Sequence, residues 1–160
     1  MNRLEALERR LPRDPRLLQI AILSSLVFYG IFVLEFGVPL RRLLLTVTAA
    51  LACQWVCTWA VALITRLRGS TSPVRFDPKS AFITSLSLTL LLRVPHDGWA
   101  VAAAAMAITS KFVIRFRGKH IFNPANIAIV VCLLLGTGWV APGQWGSFAL
   151  FGLILGGCGI

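Results

Sequence analysis

The chain is cut into long apolar runs separated by short basic ones, and that division limits the possible folds more than any motif does. Leu17 to Leu40 and Leu43 to Thr65 each exceed the roughly 20 residues a helix needs to cross about 30 Å of hydrocarbon. Arg41 and Arg42 mark the turn between them. With 57% hydrophobic and 14% charged residues and a mean hydropathy of +0.79, the sequence predicts an all-α integral membrane protein of about five to six transmembrane helices. The formal charge of +10 sits in short Lys/Arg runs between apolar segments rather than on one amphipathic face. Positive-inside topology accounts for it, with membrane lipids as the surroundings and no nucleic-acid partner.

Met1 to Arg16 is polar and mixed in charge, and the apolar run after it is too long for a cleaved signal peptide. Residues 1–16 therefore read as a cytoplasmic amino-terminal segment and 17–160 as the membrane domain. Lys and Arg number five in the tail, two in the first turn and four in the loop Arg66 to Lys79, which puts the tail and that loop inside. Glu35, the one acid in the first two spans, reads as an interfacial carboxylate near the far end of the first.

Ala81 to Leu92 is apolar for only twelve residues, about 18 Å as a helix, too short to span alone. It carries two hydroxyl stripes at helical spacing, Ser80/Thr84/Ser87 and Ser85/Thr89. Close packing with hydroxyls bonded back to the helix is one reading. A short or broken helix whose start, near Asp77-Pro78-Lys79-Ser80, faces a polar cavity is the other.

After the turn Arg93 to Gly98, a fourth segment runs from Trp99 to Phe116 with alanines at 102 to 105 suited to tight packing. Lys111 and Arg115, one turn apart at its cytoplasmic end, read as snorkelling anchors or as a phosphate site. A fifth span is predicted over Pro124 to Val140, closed by an interfacial turn with Trp139 and Trp145. Ser147 to Ile160 begins a sixth and stops in mid-span, with Gly152 and Gly156 as a packing pair, so a missing carboxy-terminal half is expected.

Between the fourth and fifth segments stands Lys111 to Val130, KFVIRFRGKHIFNPANIAIV, a basic loop running into Asn123-Pro124-Ala125-Asn126. Asn before Pro is a good helix start. Two amides one turn apart can also read the polar edge of a flavin or quinone, since each offers a donor and an acceptor side by side. Cys53 and Cys57 share a helix face, with Cys132 and Cys158 on later segments; no C-x-x-C occurs, and buried thiols are the better reading. His96 and His120 lie too far apart in sequence for a zinc site, and hydrolase and nucleotide-fold motifs are missing.

The order DPKSAFITSLSLTLLLR, a turn with Trp99, GKHIFNPANIAIV and WVAPGQWG resembles the amino-terminal half of one family of membrane proteins. That family joins the B-type membrane subunit of the sodium-translocating NADH:quinone reductase with the D-type membrane subunit of the Rnf electron transport complex. The likeness covers about Phe76 to Gly146, and its most specific part is F-N-P-A at Phe122 to Ala125. It implies the first repeat of an inverted five-plus-five helix architecture in a bacterial inner membrane, partner membrane subunits, and a flavin cofactor, FMN or riboflavin. The site it implies centres on Asn123 and Asn126, with Phe122, Lys119 and Lys111 beside them. The Asp77/Lys79/Ser80 turn and Thr84 would form the cavity floor. The family's covalent FMN threonine lies in a Ser-Gly-Ala-Thr element; this chain has none, Gly69-Ser70-Thr71-Ser72 being out of order. The loop KHIFNPANIAIV looks nearer to stand-alone relatives encoded beside natural-product pathways.

Two functions follow. One is a membrane subunit of a flavin-dependent electron transport system, acting within an NADH- or ferredoxin-linked oxidoreductase, coupled or not to sodium or proton movement. The other is a small-solute transporter or channel on the same scaffold.

Overall fold

The computed structural model describes residues 14–69, 75–116, 119–120 and 122–141. Within them are five helices: α1 Pro15–Phe32, α2 Leu40–Leu67, α3 Pro78–Leu91, α4 Asp97–Val113 and α5 Pro124–Leu134. Two-residue strands make two small antiparallel ties. β1 (Leu92–Arg93) pairs with β4 (Trp139–Val140), and β2 (Arg115–Phe116) with β3 (Lys119–His120). The predicted sixth segment, 147–160, lies outside the described residues.

Three helices start in the same way. Asp14, Asp77 and Asn123 stand at the N-caps of α1, α3 and α5, each accepting a backbone N–H from its own first turn, and each is followed by proline. Proline is suited to that place because its nitrogen has no hydrogen to leave unpaired and its φ is already helical.

The run Leu17 to Leu40 is not one helix. α1 stops at Phe32, and the chain turns through Glu35 (φ +47°) and Gly37 (φ +64°) before Pro39 caps α2. Phe36 folds back on α1, its N–H on the Gly30 carbonyl at 2.9 Å. Its ring fills the place of a side chain at position 30, where a Cβ would lie 2.5 Å from Phe36 Cε2. Arg41 and Arg42, expected in a turn, sit in the first turn of α2. Cations there oppose the helix dipole, and Asp97 at the start of α4 offsets them: Arg42 Nε meets Oδ1 at 2.8 Å and Arg41 reaches Oδ2. α5 is also shorter than expected. Gly136 (φ +65°) ends it at Leu134, with Gly136 N–H on Leu133 O and Thr137 N–H on Cys132 O, the paired bonds of a Schellman turn.

The short helix α3 is the hub, packed against α1, α2, α4 and α5. Seven of its fourteen residues are buried, among them Thr84, Ser85 and Thr89. Their hydroxyls donate to the carbonyls of Ser80, Phe82 and Ser85 respectively. Its end is closed by Arg93, 6% exposed, whose guanidinium donates to Thr89 O at 2.8 Å and stacks over Phe36.

α4 presents Ala100, Ala103, Ala104, Ala107 and Ile108 to its neighbours, and α5 presents Ala125, Ala128, Ile129 and Cys132. Small residues at this spacing let helix backbones approach closely. α2 reverses the pattern of a soluble helix: it buries Thr46, Ala50, Gln54 and Thr58 and exposes Trp55, Val56, Trp59, Leu63 and Ile64. Two helices, Pro15–Phe32 and Leu40–Leu67, are long and apolar enough to cross a membrane.

Candidate functional site

The starts of α1, α3 and α5 and the end of α4 meet at one end of the bundle. There the sequence repeats a short phrase, Asp14-Pro15-Arg16 and Asp77-Pro78-Lys79, and the structure sets the two copies against each other. Arg16 Nη1 bonds Asp77 Oδ2 at 2.6 Å, and Lys79 Nζ bonds Asp14 Oδ2 at 2.6 Å. Each carboxylate caps its own helix and binds the cation of the other. The Lys79 hydrogen bond, with the Arg16 N–H behind it, holds the Asp14 carboxyl below its usual range.

Beside this clamp opens a cleft of about 440 Å³, within the range of roughly 300–1,000 Å³ usual for small-molecule sites. α1 contributes Arg16 and Gln19, and α3 contributes Ser80, Ile83, Thr84 and Ser87. Phe122, Asn123 and Pro124 close it from the start of α5. The hydroxyl stripe Ser80/Thr84/Ser87 and the F-N-P element, 35 positions apart between Ser87 and Phe122, thus face one space.

The hydrogen bonds already made fix what remains for a ligand. Asn123 Oδ1 takes the Ala125 N–H at 3.0 Å, so its amide NH₂ is left to donate. Lys111, 7% exposed at the end of α4, donates its Nζ to Ser80 Oγ at 3.1 Å. Ser80 therefore accepts from the ammonium and keeps its own hydroxyl hydrogen to donate. Thr84 Oγ1 donates to Ser80 O at 2.8 Å and keeps its lone pairs. Ile83, Phe122 and Pro124 supply apolar wall. A planar heterocycle with several acceptors and few donors fits this set, so the residues present suit a flavin ring.

Of the expected site residues, Ser80, Thr84, Phe122 and Asn123 line the cleft. Lys111 acts behind it through Ser80, and Asp77 stands at its edge holding Arg16. Asn126 is exposed on α5 and is not among the lining residues. The side chain of Lys119, in β3, lies outside what is described. Arg16 and Gln19 were not legible as site residues, because only the fold brings the start of α1 to this end; the recurrence of Asp-Pro-cation was the available signal.

Elsewhere, Cys53 and Cys57 place their sulfurs 3.9 Å apart, and Cys53 contacts Ala105 O and Thr109 Oγ1, each at 3.5 Å. Among the described residues no group of three or more His, Cys, Asp and Glu side chains gathers to hold a metal. No protein-family model, no curated protein and no solved structure matches this chain.

Proposed function

We propose that the chain is a polytopic membrane subunit of a flavin-dependent electron transport system, and that the cleft between α1, α3 and the start of α5 holds the flavin. The observation that carries this is the convergence of the α3 hydroxyl stripe and the F-N-P element on one donor-rich space of ligand size. Bound there, the flavin would accept and pass on electrons. The chain's own residues bind and orient it: Asn123 and Ser80 donate to its acceptor edge, Thr84 accepts from its ring N–H, and Ile83, Phe122 and Pro124 pack its apolar part.

The membrane reading is supported by α2. Its exposed face carries Trp55, Trp59, Leu63 and Ile64 while Gln54 and Thr58 are turned inward, an arrangement favourable in lipid and costly in water. The four cations Arg16, Lys79, Lys111 and Arg115 lie at the cleft end, which by positive-inside charge is cytoplasmic, in a bacterial inner membrane with the amino terminus inside. The short α3, enclosed by four helices, suits the first half of an inverted-repeat scaffold. The B-type quinone reductase and D-type Rnf proteins form a scaffold of that kind, with the other members of the complex as partners.

The test compares Asn123→Ser with Asn126→Ala. Serine keeps the cap and removes the amide donor, so flavin affinity should fall roughly five- to 150-fold, the equivalent of about 1–3 kcal/mol, with little change in melting temperature. Asn126→Ala, outside the cleft, should retain flavin. Wild-type flavin content in Asn123→Ser would remove Asn123 from the site.

A further inference from the structure

The reciprocal clamp does more than join α1 to α3, because one of its four side chains also forms the cleft wall. Arg16 gives one guanidinium nitrogen to Asp77 and lines the cleft, and its fork carries five N–H donors, more than that one bond uses. Across from it, Ser80 has its oxygen taken by the buried Lys111 ammonium and its hydroxyl hydrogen free. Counting the side chains at this corner, three cations (Arg16, Lys79, Lys111) stand against two carboxylates (Asp14, Asp77), an excess of one positive charge. The carboxylates are both turned to the clamp, each engaged twice, by a cap and by an ion pair.

We propose that the Arg16–Ser80 corner of the cleft binds an oxyanion of the phosphate class, and that Lys79, through Asp14, and Asp77 hold Arg16 in position for it. This rests on the cleft being a ligand site and adds that the ligand carries a phosphate. A guanidinium fork suits such a group better than an ammonium does, since it offers parallel N–H donors to two oxygens. The same chemistry can come from a phosphorylated flavin, from free phosphate or from a phosphomonoester lipid headgroup.

The full chain in detergent separates these. With ionic strength held constant by chloride, inorganic phosphate should raise the melting temperature read by tryptophan fluorescence, saturably. FMN should bind about tenfold or more tightly than riboflavin, the effect of one charge-assisted hydrogen bond or more. Arg16→Gln should lose both effects. Arg16→Lys, which keeps the charge and the partner Asp77, should lose most of the FMN preference. Lys79→Gln, which cuts the arm that holds Arg16 through Asp14, should weaken the phosphate response without abolishing it, and a full response in that variant removes Lys79 from the arrangement. Absence of any phosphate response, or its survival in Arg16→Gln, overturns the proposal. Equal binding of riboflavin and FMN with no phosphate effect overturns it while leaving the flavin reading intact. A phosphate response with neither flavin bound supports the oxyanion site and removes the flavin. If phosphatidic acid, against phosphatidylcholine, raises the melting temperature and blocks the response, the oxyanion is a lipid headgroup; if it does neither, the oxyanion is soluble.

Discussion

Asp14 accepts the Arg16 N–H at 3.1 Å and the Lys79 ammonium at 2.6 Å, so a single carboxylate starts one helix and ties down another. Both interactions favour its ionised form, and its carboxyl is held below the ordinary value of 3.8 in the folded chain. Between the folded and unfolded values the unfolded chain binds more protons, so the contribution is complete above about pH 4 and is lost as pH falls through the folded value. Melting temperature in detergent should therefore be level in this respect from pH 7 to about pH 4 and fall below it. Asp14→Asn should lower the plateau and flatten the acid limb. An acid limb identical in the variant would show that Asp14 is not the group responsible. Lys79→Gln should reduce the same limb, and high salt should weaken the pair, which is solvent-exposed.

At the scale of elements, what the sequence made legible was periodic or compositional. The short α3 could be read from the length of its apolar run, its hydroxyl stripe from three- and four-residue spacing, and the start of α5 from Asn123 directly before Pro124. The helix ends could not. Leu17 to Leu40 is mostly apolar, with Gln19, Ser24 and Ser25 well before the turn and Glu35 the one charge, and the left-handed backbone at Glu35 and Gly37 and the return of Phe36 over Gly30 show where α1 stops. Hydropathy reports burial or lipid contact and is blind to a turn made of apolar residues. Gly30→Ala tests that turn. The added methyl meets the Phe36 ring at 2.5 Å, so the ring must move and its contact with Arg93 with it; a destabilisation of about 1–3 kcal/mol is expected in thermal unfolding. Phe36→Ala combined with Gly30→Ala should show no further loss beyond Phe36→Ala alone. An unchanged melting temperature in the single variant would mean that the fold-back is not fixed.

Across the whole molecule, the two ends of the bundle differ in kind. One is held by the Arg42–Asp97 pair and the β1–β4 tie, where Gly138 lies so close to Arg93 O that a Cβ would stand 2.8 Å away. The other is held by the clamp and opens into the cleft. Both ends carry cations, Arg41, Arg42 and Arg93 at the first and Arg16, Lys79 and Lys111 at the second, where Arg16 lines the cleft. Sequence separation hid this: Arg16, Ser80 and Asn123 lie on three different segments, and their meeting depends on α3 being short enough to sit enclosed by the others. The flavin assignment is tested most simply by the absorbance spectrum of the full-length protein extracted from membranes. A yellow protein with flavin bands that bleach on reduction is expected. A colourless protein that moves a small solute across reconstituted vesicles would contradict the assignment.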